Sequence, residues 1–374
     1  MTHRARAFGV GALVLFATGC AAEKPAVGSG ADGPGQLFVT SGFTDQVFVL
    51  DAGTGQLKDS IDLDRRPGER DEPHGITTSP DGEYVYVTLS HGEPSLWKIE
   101  NSGLRTVGRL TLNARGASRV RLSPDGRVAA VPDYWLSGGG EASHVTFVRT
   151  EDLVVLGEAE PCAAPHDAVF SPDGNTVLVA CPLTDEWVLL DATDYTVEQR
   201  IPLGGERRLD PIPSDSSLED RTDTPSPERP LNVAWWNESV AFASVHRNGG
   251  TWRIDLTRGE AQPVMSGLGA AQLAISPDGR SVVTAHRAAG AIGVLTLDDS
   301  GREQATRLVT LDGAHPHGVT FGPNPEVVFV TWEGDTTSRG GVAAIDVREA
   351  RVVWSQEVGT YTLGVTWAPS APTH

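Results

Sequence analysis

The sequence predicts an all-β chain folded as a seven-bladed β-propeller, on three observations. The first is a recurring turn: Ser79-Pro80-Asp81-Gly82, Ser123-Pro124-Asp125-Gly126, Ser171-Pro172-Asp173-Gly174 and Ser276-Pro277-Asp278-Gly279, with Gly322-Pro323-Asn324 as a worn copy. Serine first, proline presetting φ second and glycine fourth suit a type I turn, and each full copy leads into a short run rich in Val, Tyr, Phe or Ala. The second is the interval: 44 residues from Ser79 to Ser123, 48 from Ser123 to Ser171 and 46 from Ser276 to Gly322. Periods of about 40–50 residues with about four strands each mark propeller blades. The third is an apolar column. Three residues before each turn stand Ile76, Val120, Ala168, Ala234, Leu273, Val319 and Val365, as a shared innermost strand requires.

Two of those seven positions lie in copies that have lost the turn. The 105-residue step from Ser171 to Ser276 hides one at 231–237, and the last copy, 363–369, closes the chain. The ends then fit each other. Residues 36–40 read as a second strand, and 361–368 as an innermost strand with nothing after it. Pairing them completes blade 1 from both termini and leaves no orphan sheet edge. Length alone would suggest two domains, but the repeat consumes nearly all of the 374 residues. Several third strands end on an aspartate (Asp51, Asp191, Asp255, Asp346), either as a ring of carboxylates or as turn residues leading into the fourth strand.

The N-terminus is a separate object. Arg4 and Arg6 precede a short apolar core at 10–17, and Ala17-Thr18-Gly19-Cys20 resembles a bacterial lipobox. The expected division is a lipoprotein signal at 1–19, a flexible Gly/Ala/Pro tether at 20–35 from an acylated Cys20, and the propeller at 36–374. Cys20 would be the lipid anchor. With Ala21 rather than Asp after it, the expected location is the cell envelope, at the outer membrane where there are two. The formal charge of −19 opposes binding to nucleic acid, and a monomer is expected. Cys162 and Cys181 are expected to form a disulfide in blade 4, a thiolate metal ligand beside His166 being the alternative.

In a propeller, the loops entering innermost strands and those leaving second strands share one face, here the top. His74, His91, His144, His166, His246, His286, His315 and His317 all map there. His74, His166 and His317 are equivalent, each five residues before the turn, in blades 2, 4 and 7, spread nearly evenly about the axis. Three converging imidazoles suit a transition metal with an open fourth position, or a polar ligand, or sideways packing against the next blade. A second tier stands at the ends of second strands: His91, His246-Arg247, His286-Arg287, Trp332-Glu333 and Asp133-Tyr134-Trp135. Arg247 and Arg287 could grip a carboxylate or phosphate in bidentate fashion. The insert at 205–230 reads as a lid or an excursion, and the charged loop 64–72 borders the same mouth. There is no Gly-x-Ser-x-Gly elbow, phosphate-cradling loop or HExxH helix.

Phe38-Val39-Thr40-Ser41, Tyr86-Val87-Thr88-Leu89 and Phe329-Val330-Thr331-Trp332 resemble the Tyr-Val-Thr-Asn motif of the YVTN family of bacterial propellers, and the Ser-Pro-Asp-Gly turns and Pro-His-Gly segments are similar too. The resemblance spans roughly residues 35–368 and implies the fold strongly and the activity weakly. Related propellers include lactonases of sugar lactones and proteins carrying a modified haem, which implies a top-face site with His and Arg but supplies no catalytic residue. Two functions follow. One is a non-catalytic, lipid-anchored scaffold that binds a protein partner or small polar ligand on its top face. The other is a lactonase-like or metal-dependent enzyme, or a metal-binding protein, using His74, His166 and His317.

Overall fold

The computed structural model describes residues 35–65, 68–134, 142–203, 228–247, 249–267, 269–311 and 314–370. The signal, Cys20, nearly all of the tether, Trp135 and residues 205–227 of the insert lie outside the described residues. Seven four-stranded antiparallel sheets form the blades of a propeller. Blade 1 is closed as the sequence predicts: innermost Thr362–Pro369 pairs with Gly35–Ser41, followed by Gln46–Asp51 and Leu57–Asp62. The innermost strands of blades 2 to 7 are Pro73–Thr78, Arg121–Leu122, Asp167–Phe170, Pro230–Asn237, Ala270–Ile275 and His315–Phe321. Pro230, the last residue assigned to the insert, is thus the first of a strand.

Both faces of most strands are buried, because each blade is packed between two others. In Gly35–Ser41, Phe38 faces Ile76, Val85 and Val87 of blade 2, while its neighbours Leu37 and Val39 face Phe329, Val342 and Ala344 of blade 7. The alternation of side chains along a strand thus feeds two separate hydrophobic clusters. The fourth strands are mostly exposed; Leu57–Asp62 buries only Ile61.

The four Ser-Pro-Asp-Gly turns share one set of bonds on the lower face. In the first, Gly82 N–H donates to Ser79 O (2.8 Å), Ser79 Oγ donates to Asp81 Oδ1 (2.5 Å), and the Glu83 and Tyr84 amides donate to Asp81 Oδ1 and Ser79 Oγ (both 2.9 Å). Gly82 has φ +76°, a conformation that only glycine adopts without strain. The third-strand aspartates are turn residues: Asp51 Oδ1 accepts from the Gly53 and Thr54 amides, and Asp191 and Asp346 accept likewise from the backbone that follows them.

The Val-Thr motif and the Pro-His-Gly segments prove to be two halves of one device. Thr88 Oγ1 accepts from Gly75 N–H (2.9 Å) in its own blade and donates to Ser118 O (2.7 Å) in the next. Thr331 joins Gly318 N–H to Leu363 O, and Thr40 joins Gly364 N–H to His74 O, in the same way. A Cβ on Gly75 would come to 2.5 Å from Ser118 O, and one on Gly364 to 2.5 Å from His74 O, so glycine is what lets adjacent innermost strands approach. These bonds fix the depth of the column that carries the three histidines.

Cys162 and Cys181 form a disulfide, with a correction to their placement. Cys162 ends the fourth strand of blade 3 (Val154–Cys162), not a loop of blade 4, while Cys181 ends the second strand of blade 4 (Thr176–Cys181). The bond therefore staples two blades together at the top face. Neither sulfur is a thiolate available to a metal.

Candidate functional site

The innermost strands bring His74, His166 and His317 together at the top of the central channel. The His74 ring meets the His166 ring edge to face at 6.4 Å between centroids and the His317 ring at 5.9 Å. A hydrogen bond fixes the tautomer of one of them. His166 Nδ1 donates to Leu231 O of blade 5 (2.8 Å), the sideways bond to a neighbouring blade, which leaves Nε2 with its lone pair. His74 Nδ1 faces Glu72 Oε1 at 3.5 Å, and its Nε2 is buried with no hydrogen-bond partner. The Gln272 side-chain amide faces His317 Nδ1 at 3.3 Å, and Glu333 Oε1 lies 4.0 Å from His317 Nε2.

Charge around the rings is arranged in pairs, with one exception. Glu72 bridges His74 and His91 (3.3 Å to His91 Nε2). Burial would raise its carboxyl, but the bonds to the two histidines outweigh that and hold it down at about 2. The same bond raises His91 above the usual imidazole range. Arg287 grips Glu333 in bidentate fashion (2.7 and 2.6 Å), and Arg121 grips Asp167 likewise (both 2.9 Å). The exception is Arg119. It is 4% exposed, and its Nε and Nη1 are buried without an acceptor. Burial pulls its guanidinium down to about 9, with Arg121 adding to the effect and Asp167 opposing it. Burial, then the charges of His74 and Arg119 among others, keeps His166 (about 3) and His317 neutral. Tyr134 packs edge-on against His166 at 4.5 Å, and burial pushes both Tyr134 and Tyr361 up to about 12. The Tyr361 hydroxyl stands within electrostatic reach of both Glu72 and Glu333.

The remaining histidines do not converge on the axis. His286 is buried between Gly267 and Gly293, beside Met265 of blade 5, and burial lowers it to about 4. His246 Nδ1 faces Ala270 O (3.3 Å), His315 Nδ1 faces Arg287 O (3.2 Å), and His144 faces Glu158 of an outer strand (3.7 Å). Arg247 donates its backbone amide to Glu228 O in the top-face turn of blade 5. Sequence reading missed Arg119, Asp167 and Gln272. They stand one residue after the histidine column, where the other blades carry Gly75, Val233, Gly318 and Gly364, so a second aligned column would have found them.

No family model matches the chain. It is similar to the dihydro-heme d1 dehydrogenase of Pseudomonas aeruginosa, with 25% identity over 292 residues. That match covers 74% of this chain and 53% of the relative, so the chain spans about half the length of the curated relative it matches. Among solved structures, it resembles the periplasmic gluconolactonase of Pseudomonas aeruginosa (TM-score 0.66, 17% identity, 90% of this chain and 100% of that one). It also resembles hydrazine synthase of Kuenenia stuttgartiensis (TM-score 0.63, 15% identity, 82% of this chain and 94% of that one). The structural likeness is one of fold. It agrees with the propeller that the sequence predicts, with lactonase-like proteins among its structural neighbours.

Proposed function

We propose that this chain is a ligand-binding propeller of the cell envelope, anchored through a lipidated Cys20, whose channel mouth takes a small polar molecule bearing a carboxylate. The observation that carries this reading is Arg119. A buried guanidinium with two unpartnered donors is costly, and an anion is what repays that cost. His166 and His317, held neutral by burial, together with His74 and the half-buried Tyr134 and Tyr361, offer hydrogen bonds to the rest of such a molecule. The disulfide supports an oxidising compartment, and the acidic charge supports a partner other than nucleic acid.

A lactonase-like activity is the second reading, favoured by the Glu72–His74 pair. Glu72 holds the His74 Nδ1 side, and the buried Nε2 is poised to accept a proton from water. Lactone hydrolysis releases a hydroxycarboxylate, which Arg119 would receive. The test is calorimetric titration of the purified protein with sugar acids such as gluconate, beside hydrolysis of gluconolactone. Binding weakened at least tenfold in Arg119→Met is expected. Hydrolysis above background, lost in His74→Ala, would promote the enzyme reading, and no binding of any carboxylate would sink the proposal.

A further inference from the structure

A second constellation lies outside the axial cluster, where blade 1 meets the loop that enters blade 2. Asp45, at φ +50° in the turn after the second strand of blade 1, accepts from the Asp71 amide (3.1 Å) and the Glu72 amide (2.9 Å) through Oδ1. Blade 4 has the same device. Asp185 (φ +49°) accepts from the Glu228 and Arg229 amides, both at 2.9 Å. In blade 3, Asp133 accepts from the Arg115 and Gly116 amides, also at 2.9 Å. One aspartate is therefore enough to tether an entering loop.

Blade 1 adds two carboxylates that tethering does not use. Asp45, Asp64 and Asp71 each offer an oxygen within 4.8 Å of the other two. Asp71 is 1% exposed, and its Oδ2 is buried and accepts no hydrogen bond. Room for that carboxylate comes from Gly92 (φ +64°), where a Cβ would collide with Asp71 Oδ1.

We propose that Asp45, Asp64 and Asp71 hold a divalent cation of the calcium class. Three carboxylates with no nitrogen or sulfur ligand select a hard cation, and calcium tolerates the irregular geometry of carboxylates fixed by a backbone where magnesium demands an octahedron. The cation would satisfy Asp71 Oδ2 and order the loop that ends in Glu72, next to His74 and His91. The site would thus steady one wall of the axial cluster without touching its ligand.

The test is a thermal melt and a calorimetric titration of the purified protein, first in chelator, then with millimolar calcium or magnesium. Calcium is expected to bind at about one equivalent and raise the melting midpoint by about 3 °C or more. Asp64→Asn, whose side chain is exposed, should abolish that response. Asp71→Asn should also lose the response, and Asp185→Asn should keep it. No heat and no shift with either ion would overturn the proposal. So would a calcium response that survives both Asp64→Asn and Asp71→Asn, or a response to magnesium alone.

Discussion

The two ends of the propeller solve the same problem in opposite ways. On the lower face, four turns repeat one sequence and one set of bonds, and the serine hydroxyl and aspartate carboxylate of each are satisfied within the turn. On the top face, the seven equivalent positions hold five different residue types. His74, Ser118, His166, Asn232, Ala271, His317 and Leu363 share one column, and several neighbouring polar atoms are buried without a partner. A closed loop of bonds makes a stable end with nothing left to offer. Unsatisfied donors and lone pairs cost stability and create the capacity to bind. In a repeat protein, the repeat builds the scaffold, and departures from it mark where chemistry can sit.

The largest expected effect tests the device that aligns the top-face column. A Cβ on Gly318 would strike the Leu363 carbonyl and crowd Thr331 Oγ1, so Gly318→Ala should destabilise by about 3 kcal/mol in denaturant unfolding. The lower turns are redundant by comparison, and Asp81→Ala should cost only about 1 kcal/mol while leaving ligand binding intact. Comparable costs for the two changes would break the contrast.

A smaller effect sharpens it through pH. His166 is 6% exposed, and burial lowers it to about 3 in the folded chain, against about 6.5 when unfolded. The unfolded state therefore binds more protons between those values, so this contribution is fully present above about pH 6.5 and is lost as pH falls. Between pH 7 and 5 the loss should be about 1–2 kcal/mol, and His166→Gln should remove that share of the slope. Glu72, held at about 2, acts only below its unfolded value of 4.5 and leaves this window clear. His91, raised by Glu72, works in the opposite direction: its contribution is present at low pH and fades as pH rises through its folded value. A slope unchanged by His166→Gln would mean that His166 is accessible to water in the folded chain.

The architecture was legible in the sequence because it is written many times. Four copies of one turn and an apolar column gave the blade count, the closure of blade 1 and the face on which the histidines lie. The convergence of His74, His166 and His317 followed from their shared position in the repeat. What escaped was particular to single blades. Arg119, Asp167 and Gln272 each occur once, in a column otherwise occupied mainly by glycine; the partners of Asp167 and Gln272 lie in other blades, and two donors of Arg119 have none. His286 was misleading for the reverse reason. Its place at the end of a second strand suits the mouth, but its side chain turns into the contact with blade 5, a direction that spacing alone does not reveal. The placement of Cys162 slipped because the fourth strand of blade 3 runs on to that residue.

The central claim is that Arg119 is kept unpaired for a ligand. The most direct measurement is the unfolding free energy of the wild type and Arg119→Met, each with and without saturating gluconate. Without ligand, the variant should be as stable as the wild type or more so, by about 1–2 kcal/mol, because a buried unpaired charge has been removed. With ligand, only the wild type should gain stability. A variant that is less stable without ligand, and that still gains stability from gluconate, would contradict the account and make Arg119 part of the scaffold.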